Sequence, residues 1–272
     1  MASRYRKQMS THIQINKVHK TFSADGREVV ALSDINLEIN QGEFICLLGP
    51  SGCGKSTLLN AVAGFSLPTT GSILVNGGPV LQPGPDRGMV FQEYALFPWM
   101  TVAENVSFGL EIKKMPKAQI REKVGALLEM LNLQDFRDRY PKDLSGGMRQ
   151  RVAIARVLAL DSPILLMDEP FGALDSLTRR NLQDELLRIW TEFEKTIIFV
   201  THSIEESIYL ADRIVVMTYR PGTIKKIVSV SMQRPRDPSS VDFNNLKKEL
   251  SLLVMEEQSR HNQEEILTST GD

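Results

Sequence analysis

Short apolar runs alternate with segments of helical period along most of the chain. The clearest runs lie at residues 43–48, 164–167, 196–200 and 213–217. Strands of a parallel sheet are apolar on both faces because helices cover both, whereas the connecting helices carry apolar side chains every three or four positions. The pattern therefore predicts an α/β fold built on a mostly parallel sheet.

Two regions depart from this alternation. Residues 13–18, 32–39 and 72–75 alternate apolar and polar side chains, which predicts strands of a small antiparallel β layer. No convincing strand pattern occurs between residues 91 and 140, where apolar side chains instead share one helical face. We therefore predict an inserted α-helical subdomain at about residues 91–160.

The sequence pattern predicts a separate helix in the last part of the chain. We expect the main domain to cover residues 1–238 and a C-terminal helix with an acidic tail to cover residues 239–272. Seven acidic and three basic residues occur from Ser239 onward. The apolar positions with helical spacing, which predict packing against the main domain, are Phe243, Leu246, Leu250 and Leu253.

Composition and charge exclude several classes of protein. The longest apolar run has five residues, Phe44 to Leu48, whereas a membrane-spanning helix needs about 20. The formal net charge of -1 gives no basic field, so no nucleic acid is expected as a partner. The two cysteines, Cys46 and Cys53, flank a glycine-rich turn and fit a reducing compartment better than a disulfide framework.

A phosphate-binding motif lies between an apolar strand and a helix. Its glycines let successive backbone N–H groups converge on one centre, and the following helix N-terminus adds partial positive charge. Lys55 would reach the β- and γ-phosphates, and Ser56 would hold Mg²⁺. The motif G-x-x-x-x-G-K-[ST] comprises Gly49, Pro50, Ser51, Gly52, Cys53, Gly54, Lys55 and Ser56.

A pair of acids follows the apolar run at residues 164–167. Asp168 stands at the carboxyl end of the predicted strand, where ligands of open α/β sheets bind, and we expect it to organise Mg²⁺. Glu169 follows and would orient the attacking water and accept its proton.

A second anion site is predicted at Ser145, Gly146 and Gly147, which precede a helical segment. This element lies about ninety residues from the phosphate-binding motif, so the two need not face the same nucleotide. An isologous dimer would pair each phosphate cradle with the serine-glycine element of the other subunit. An ordinary serine-capped helix is the alternative interpretation.

Together and in this order, these motifs resemble those of an ATP-binding cassette (ABC) transporter ATPase. The likeness spans roughly residues 13–230 and implies a P-loop NTPase core that uses ATP and Mg²⁺. It implies that residues 49–57, ending at Thr57, form the phosphate loop and that residues 144–150 form the family signature. The signature carries Met148 where glutamine is common in the family.

The resemblance also assigns roles to single residues. Gln92 would sense Mg²⁺ and water, Asp175 would reach across the dimer, and His202 would contact the γ-phosphate. Catalysis would rest on Glu169, His202, Gln92 and Lys55, and the metal on Ser56, Gln92 and Asp168.

Adenine recognition and thiol chemistry complete the predicted site. Phe22 resembles the aromatic residue on which the family stacks adenine, with Val30 packed beside it. The alternative is that Phe22 is a core residue of the small β layer. A thiolate at Cys53 would benefit from the helix terminus, so we expect inhibition by alkylating reagents.

A crowded aromatic stretch between Tyr94 and Met100 has two interpretations. It is either a docking surface for a partner helix or part of the core of the helical insertion. In the family, the cytoplasmic helix of the membrane subunit docks here. Residues 91–109, 168–175 and 219–224 are similar to those of importers for nitrate, sulfonate, taurine and bicarbonate.

The resemblance implies an ATPase at the cytoplasmic face of the inner membrane, as a peripheral subunit. Its partners would be a second ABC ATPase subunit, identical or not, transmembrane permease subunits and, indirectly, a substrate-binding protein.

Three alternatives remain open from the sequence. A non-transport ABC ATPase of repair or translation usually has a duplicated cassette or a long charged insertion, and neither is present. A P-loop kinase has no reason to carry residues 144–150. An exporter subunit is disfavoured by the stretch between Tyr94 and Met100.

Overall fold

The computed structural model describes residues 11–24, 27–172 and 174–269. The strands are β1 (Thr11–Ala24), β2 (Arg27–Asn40), β3 (Phe44–Leu48), β4 (Thr70–Val75), β5 (Gly78–Pro79), β6 (Arg87–Val90), β7 (Ile164–Asp168), β8 (Thr196–Thr201), β9 (Arg213–Met217) and β10 (Ile224–Ser229). The helices are α1 (Lys55–Ala63), α2 (Val102–Ile112), α3 (Lys117–Met130), α4 (Gly146–Ala159), α5 (Ser176–Phe193), α6 (Ile204–Leu210) and α7 (Val241–Ser269). Within these ranges, no helix is long and apolar enough to span a membrane.

The chain forms two compact units, one of Met1–Pro83 with Thr196–Asp272 and one of Gly84–Lys195. In the first unit, β3 pairs in parallel with both β8 and β9, and β10 runs antiparallel to β9. Every residue of β3 and β8 is buried, as continuous apolar runs require. The predicted strands at residues 43–48, 196–200 and 213–217 are confirmed to within one residue.

The antiparallel layer of the first unit has the strand order β2-β1-β4-β5. Its long strands β1 and β2 have 14 residues each, more than the predicted strands at 13–18 and 32–39. The register between them shifts at four places, and such bulges let pairing continue where the apolar alternation breaks. Strict alternation therefore predicts both strands too short, since β1 continues to Ala24 and β2 begins as early as Arg27.

In the second unit, β6 and β7 pair in parallel, and α2, α3, α4 and α5 supply the helices. The predicted absence of strands in 91–140 agrees with the positions of α2 and α3. The sequence signal that fixes α2 is a capping box, in which the Thr101 side chain accepts from the Glu104 N–H and the Glu104 carboxylate accepts from the Thr101 N–H. The domain boundaries predicted from the sequence remain predictions.

The C-terminal helix α7 packs on the first unit, as its apolar spacing predicts. Phe243 and Leu250 are fully buried, and Glu257, two helical turns after Leu250, is buried as well. A buried carboxylate needs partners, and Lys225 of β10 provides an ion pair of 2.7 Å to its Oε1. The helix is therefore tied to the sheet by a charged contact as well as by apolar packing.

Candidate functional site

The phosphate loop joins β3 to α1 in the first unit, as the sequence predicts. Gly54 has a φ of 96°, and a Cβ at this position would lie 2.7 Å from Leu32 Cδ2, so only glycine fits. Among the described residues, no side chain caps the N-terminus of α1. A helix N-terminus without a side-chain cap can donate its first N–H groups to an anion, which is the property that a phosphate cradle needs.

Lys55 is folded against the loop that precedes it. Its side chain is almost completely buried, and Nζ donates hydrogen bonds to the carbonyl oxygens of Gly49 at 2.9 Å and Pro50 at 2.8 Å. These bonds hold the curvature of the loop and place the ammonium group at its centre. Ser51 and Ser56 are exposed and Thr57 is half-buried.

Cys53 contradicts the expectation of a reactive thiolate. Its side chain is fully buried, and the Sγ atom lies 3.7 Å from Lys55 Nζ. Burial raises the pKa of the Cys53 thiol, and the nearby Lys55 charge offsets only part of this effect. The thiol stays protonated at neutral pH and is shielded from solvent, so the predicted inhibition by alkylating reagents is not supported.

His202 follows β8 directly and shares a sheet edge with the phosphate loop. Leu48, which precedes the loop, is the parallel partner of Thr201 in β8. The turn at His202 is fixed by a buried network in which Thr201 Oγ1 donates to Glu206 Oε2 at 2.6 Å and accepts from the Ser203 N–H at 2.9 Å. The exposed imidazole is thus held on a rigid turn beside the cradle.

Phe22 lies on the surface and is not a core residue, since 42% of it is exposed. In the strand register Phe22 is opposite Val29, and Thr21 is opposite Val30. Cross-strand partners share a face and successive residues alternate, so Val29, and not Val30, lies beside Phe22. The prediction that Val30 packs beside Phe22 is wrong, because the register shift between Lys20 and Thr21 pairs Phe22 with Val29. The sequence pattern contains no information on the register between β1 and β2.

In the second unit, Asp168 ends β7 and Glu169 follows it, as predicted. Glu169 has a φ of 43°, a left-handed conformation that costs a residue with a side chain roughly 1–2 kcal/mol. The Gly172 N–H donates to the Glu169 carbonyl at 3.2 Å and closes the turn. Strained backbone of this kind concentrates at functional sites, which agrees with a catalytic carboxylate here.

The serine-glycine element begins α4. Ser145 is exposed, and its Oγ accepts a hydrogen bond of 3.3 Å from the Met148 N–H. Gly146 and Gly147 form the first turn of the helix. The structure therefore contains the serine-capped helix that was the alternative interpretation, and this same geometry presents a helix N-terminus to solvent.

Asp175 caps α5 in the same way. Its Oδ1 accepts from the Thr178 N–H at 3.0 Å, and this hydrogen bond lowers the pKa of the exposed Asp175 carboxyl group. The group is therefore ionised at neutral pH. Ala173, which belongs to the same motif, lies outside the described residues.

Gln92 is exposed and begins the segment that leads to Tyr94 and Met100. Tyr94 and Ala95 both have left-handed backbone conformations, with φ values of 62° and 47°. The guanidinium of Arg156 in α4 donates to the Ala95 carbonyl at 2.7 Å and the Tyr94 carbonyl at 3.1 Å. No local pattern in the sequence marks Arg156, because a hydrogen bond across about sixty residues leaves no periodic signal.

The aromatic stretch itself lies at the surface. Residues 94–100 are all described, and none of them is buried. Trp99 is 70% exposed, and Phe97 contacts Phe108 of α2 with ring centroids 4.6 Å apart. The interpretation as part of the core is therefore excluded, and the interpretation as a docking surface is retained.

The donor set for a metal is sparse. In the part of the chain that the structure describes, no three His, Cys, Asp or Glu side chains cluster to hold a metal ion. Mg²⁺ needs no such cage, since it usually takes one or two protein oxygens and completes its octahedron with phosphate oxygens and water. The hydroxyl of Ser56, the amide of Gln92 and the carboxylate of Asp168 are oxygen donors of that type.

A buried parallel strand, a glycine-rich loop and a helix with an open N-terminus define a P-loop nucleotide-binding protein. The family model described as ABC transporter matches residues 32–172. The chain belongs to the ABC transporter family and is one of its ATPases.

Two curated relatives are import subunits. The chain is 46% identical to an aliphatic sulfonates import ATP-binding protein, SsuB, of Bacillus thuringiensis subsp. konkukian, over 86% of this chain and 92% of the relative. It is also 46% identical to a nitrate import ATP-binding protein, NrtD, of Synechococcus elongatus, over 82% of this chain and 83% of the relative.

A solved structure shares the fold. The ATP-binding cassette MJ0796, in a dimeric post-hydrolysis state bound to ADP and Pi, superposes with a TM-score of 0.73 at 33% identity. The match covers 81% of this chain and all of the cassette. It confirms the predicted P-loop α/β fold with an antiparallel layer and inserted helices, and it supports ATP binding.

Proposed function

We propose that this chain is the ATP-hydrolysing subunit of a membrane importer for a small anion of the nitrate, sulfonate, taurine or bicarbonate type. The observation that carries the proposal is the likeness to a sulfonate and a nitrate import subunit over more than four fifths of this chain. The exposed stretch between Tyr94 and Met100 supports it, because exposed aromatic side chains such as Trp99 are typical anchors of protein–protein interfaces.

ATP is proposed to bind with its phosphates on residues 49–57. Lys55 balances the charge of the β- and γ-phosphates, and the N–H groups at the start of α1 donate to phosphate oxygens. The adenine ring stacks on Phe22, a contact that needs only an exposed aromatic face. Val29 replaces Val30 as the residue expected beside it.

Hydrolysis is proposed to rest on residues that follow strands. Glu169 accepts the proton of the attacking water, Gln92 orients that water, and His202 contacts the γ-phosphate. When Mg²⁺ is bound, it neutralises charge on the phosphates, and Ser56, Gln92 and Asp168 are the residues that would hold it.

Two subunits are proposed to close head to tail around two ATP molecules. Ser145, Gly146 and Gly147 of one subunit then face the γ-phosphate held by the other, and Asp175 reaches across the same interface. Closure and reopening of this dimer shift the population between two states of the permease. The second subunit is either another copy of this chain or a related ATPase.

The permease helix is proposed to dock near Tyr94 and Met100, with the ATPase held at the cytoplasmic face of the membrane. A substrate-binding protein on the other side supplies the anion. The hydrogen bonds from Arg156 to the Tyr94 and Ala95 carbonyls tie this docking segment to α4, whose N-terminus carries Ser145. We propose that this contact couples the docked helix to the signature.

Trp99→Ala is expected to weaken assembly with the permease subunits by tenfold or more, since an exposed tryptophan at an interface contributes about 2 kcal/mol or more. Basal ATPase activity of the isolated protein should stay within about twofold, because Trp99 is not among the residues proposed to bind or hydrolyse ATP. The measurement is uptake of labelled nitrate, taurine and bicarbonate into proteoliposomes that contain the permease, the ATPase and the binding protein.

The matched control is Leu81→Ala, which removes a side chain of equal exposure, 70%, from the other compact unit. It should assemble and transport like the wild type. Uptake of none of the three anions would overturn the proposed substrate class. ATP-driven movement in the outward direction would overturn the proposal of an importer.

A further inference from the structure

A turn at residues 218–223 packs against the phosphate loop. The Gly222 N–H donates to the Ala31 carbonyl at 3.0 Å, and the Gly222 carbonyl accepts from the Ser33 N–H at 3.0 Å. A Cβ at Gly222 would overlap the Cys53 carbonyl oxygen, so the turn and the loop are in backbone contact. Within the turn, Thr218 Oγ1 donates to the Pro221 carbonyl at 3.0 Å and accepts from the Thr223 N–H at 2.8 Å.

Arg220 makes the polar contact between this turn and the loop. Its Nε donates to the Gly52 carbonyl at 3.2 Å, and Nη2 would lie 3.6 Å from a Cβ built at Gly52. A trans peptide unit is planar, so fixing the direction of the Gly52 carbonyl also fixes the direction of the Cys53 N–H on the opposite side. Gly52 itself has a φ of 76° and offers the peptide little intrinsic restraint.

The same turn is held from its other side by the C-terminal helix. Glu257 of α7 is 1% exposed, and its Oε2 accepts from the Tyr219 N–H at 3.1 Å. Its Oε1 forms the ion pair with Lys225, which also contacts Glu256 at 2.6 Å. Although burial opposes it, hydrogen bonding to Glu256 and Glu257 raises the pKa of Lys225, so the Lys225 ammonium group stays protonated over the physiological range.

A continuous chain of contacts therefore runs from α7 to the phosphate loop: Glu257 to the Tyr219 backbone, then one residue along the turn to Arg220, then to the Gly52 carbonyl. Every member belongs to the same compact unit. The proposed roles of residues 49–57 in binding ATP account neither for the contact of Arg220 with the Gly52 carbonyl nor for that of Glu257 with the Tyr219 N–H.

We propose that Arg220 is a positioning residue for the phosphate loop and that Glu257 fixes the turn that carries it, so that the C-terminal helix sets the affinity for ATP. The inference rests on the proposed role of residues 49–57 as the ATP cradle. Loss of the hydrogen bond from Arg220 loosens the Gly52–Cys53 peptide, which then keeps the 3.4 Å hydrogen bond from the Cys53 N–H to the Pro50 carbonyl. Ordering this peptide again on binding weakens ATP affinity. The chemical step at Glu169 is unaffected once ATP is bound.

The test compares equilibrium binding of a fluorescent ATP analogue with the steady-state kinetics of ATP hydrolysis by the full chain. Arg220→Ala should raise both the Kd and the KM for ATP about three- to tenfold and leave kcat within about twofold. Arg220→Lys, which keeps a charged donor, should recover at least half of the loss. Glu257→Ala should raise the KM at least twofold, and Glu257→Gln, which keeps an acceptor for the Tyr219 N–H, should lie between it and the wild type.

The matched control is Glu249→Gln. It breaks the 2.8 Å ion pair of Glu249 with Lys226, another link between α7 and β10, which lies outside the turn at residues 218–223. It should bind and hydrolyse ATP as the wild type does. Thermal melting of each variant shows whether the fold is retained.

Lys55→Met distinguishes a failure of the proposed ATP cradle from a failure of the proposed role of Arg220. If it binds the analogue as tightly as the wild type, the proposed cradle fails and the inference fails with it. If Lys55→Met loses affinity while Arg220→Ala has an unchanged KM, or a lowered kcat at constant KM, only the role of Arg220 is overturned. An effect of Glu257→Ala no larger than that of Glu249→Gln overturns the link to α7.

Discussion

Replacing Glu169 with glutamine is expected to slow ATP hydrolysis by about 10²–10⁴-fold, the range typical for loss of a general base. The amide has the shape of the carboxylate but accepts no proton from water. Glu169 directly follows the buried strand β7 and keeps a strained φ of 43°, which indicates that its position is fixed by its surroundings. ATP binding should change by less than about twofold, because the phosphate loop is untouched.

The variant should therefore accumulate as an ATP-bound dimer, which light scattering coupled to gel filtration detects in the presence of ATP. The matched control is Glu129→Gln, which neutralises an exposed carboxylate at the end of α3. It should hydrolyse ATP at the wild-type rate and return to its resting state. Normal hydrolysis by Glu169→Gln would show that another group accepts the proton.

Lys55→Met is expected to weaken ATP binding by about ten- to a hundredfold, since hydrogen bonds to charged groups contribute about 1.5–3 kcal/mol each. Methionine keeps the aliphatic length of lysine but removes the ammonium group. Lys55 Nζ also donates to the Gly49 and Pro50 carbonyls, so the loop loses two internal hydrogen bonds in the variant. The variant therefore loses both the positive charge of the phosphate loop and the two hydrogen bonds that shape this loop.

Isothermal titration calorimetry with ATP and Mg²⁺ measures this effect. Lys113→Met is the control, because Lys113 is an exposed lysine that also donates to a backbone carbonyl, that of Leu160, at 3.1 Å. Its affinity for ATP should equal that of the wild type. An unchanged affinity in Lys55→Met would mean that ATP binds elsewhere on the chain.

The sequence predicts those parts of the fold that depend on local pattern. Strands such as β3 and β8 are buried on both faces, so their apolar runs identify them without further information. The phosphate loop is identifiable because its glycines, Lys55 and the flanking strand and helix form a continuous stretch of chain. Asp168, Glu169 and His202 are found by the same reasoning, since each follows an apolar strand.

The hydrophobic pattern of the sequence does not predict the register between β1 and β2 or the burial of Cys53. Bulges in β1 and β2 shift the pairing, so the neighbour of Phe22 is Val29 and not Val30. Cys53 lies in a glycine-rich turn, which suggests exposure, yet the packing of the loop buries it completely. Both outcomes are set by which backbone segments meet, and a single sequence does not encode that locally.

Contacts between distant residues were missed for a related reason. Arg156 reaches the Tyr94 carbonyl over 62 positions, and Arg220 reaches the Gly52 carbonyl over 168. Both arginines donate to backbone carbonyls, which every residue possesses, so no side-chain motif marks the partner. The links from the proposed docking segment to α4, and from the C-terminal helix to the phosphate loop, are therefore visible only in the structure.

The dimeric site can be tested by measuring ATPase rate per subunit against protein concentration, with ATP and Mg²⁺ saturating, for the wild type and Ser145→Arg. Ser145 is exposed at the start of α4, so arginine adds bulk and charge where the phosphate of the other subunit is proposed to lie. Ser240→Arg is the control, since Ser240 Oγ likewise accepts a backbone N–H at a helix start, that of Phe243 at 3.3 Å. We predict a wild-type rate that rises with concentration, a matching rate in the control and a collapse in Ser145→Arg. A rate that is independent of concentration and unaffected by Ser145→Arg would contradict the shared site.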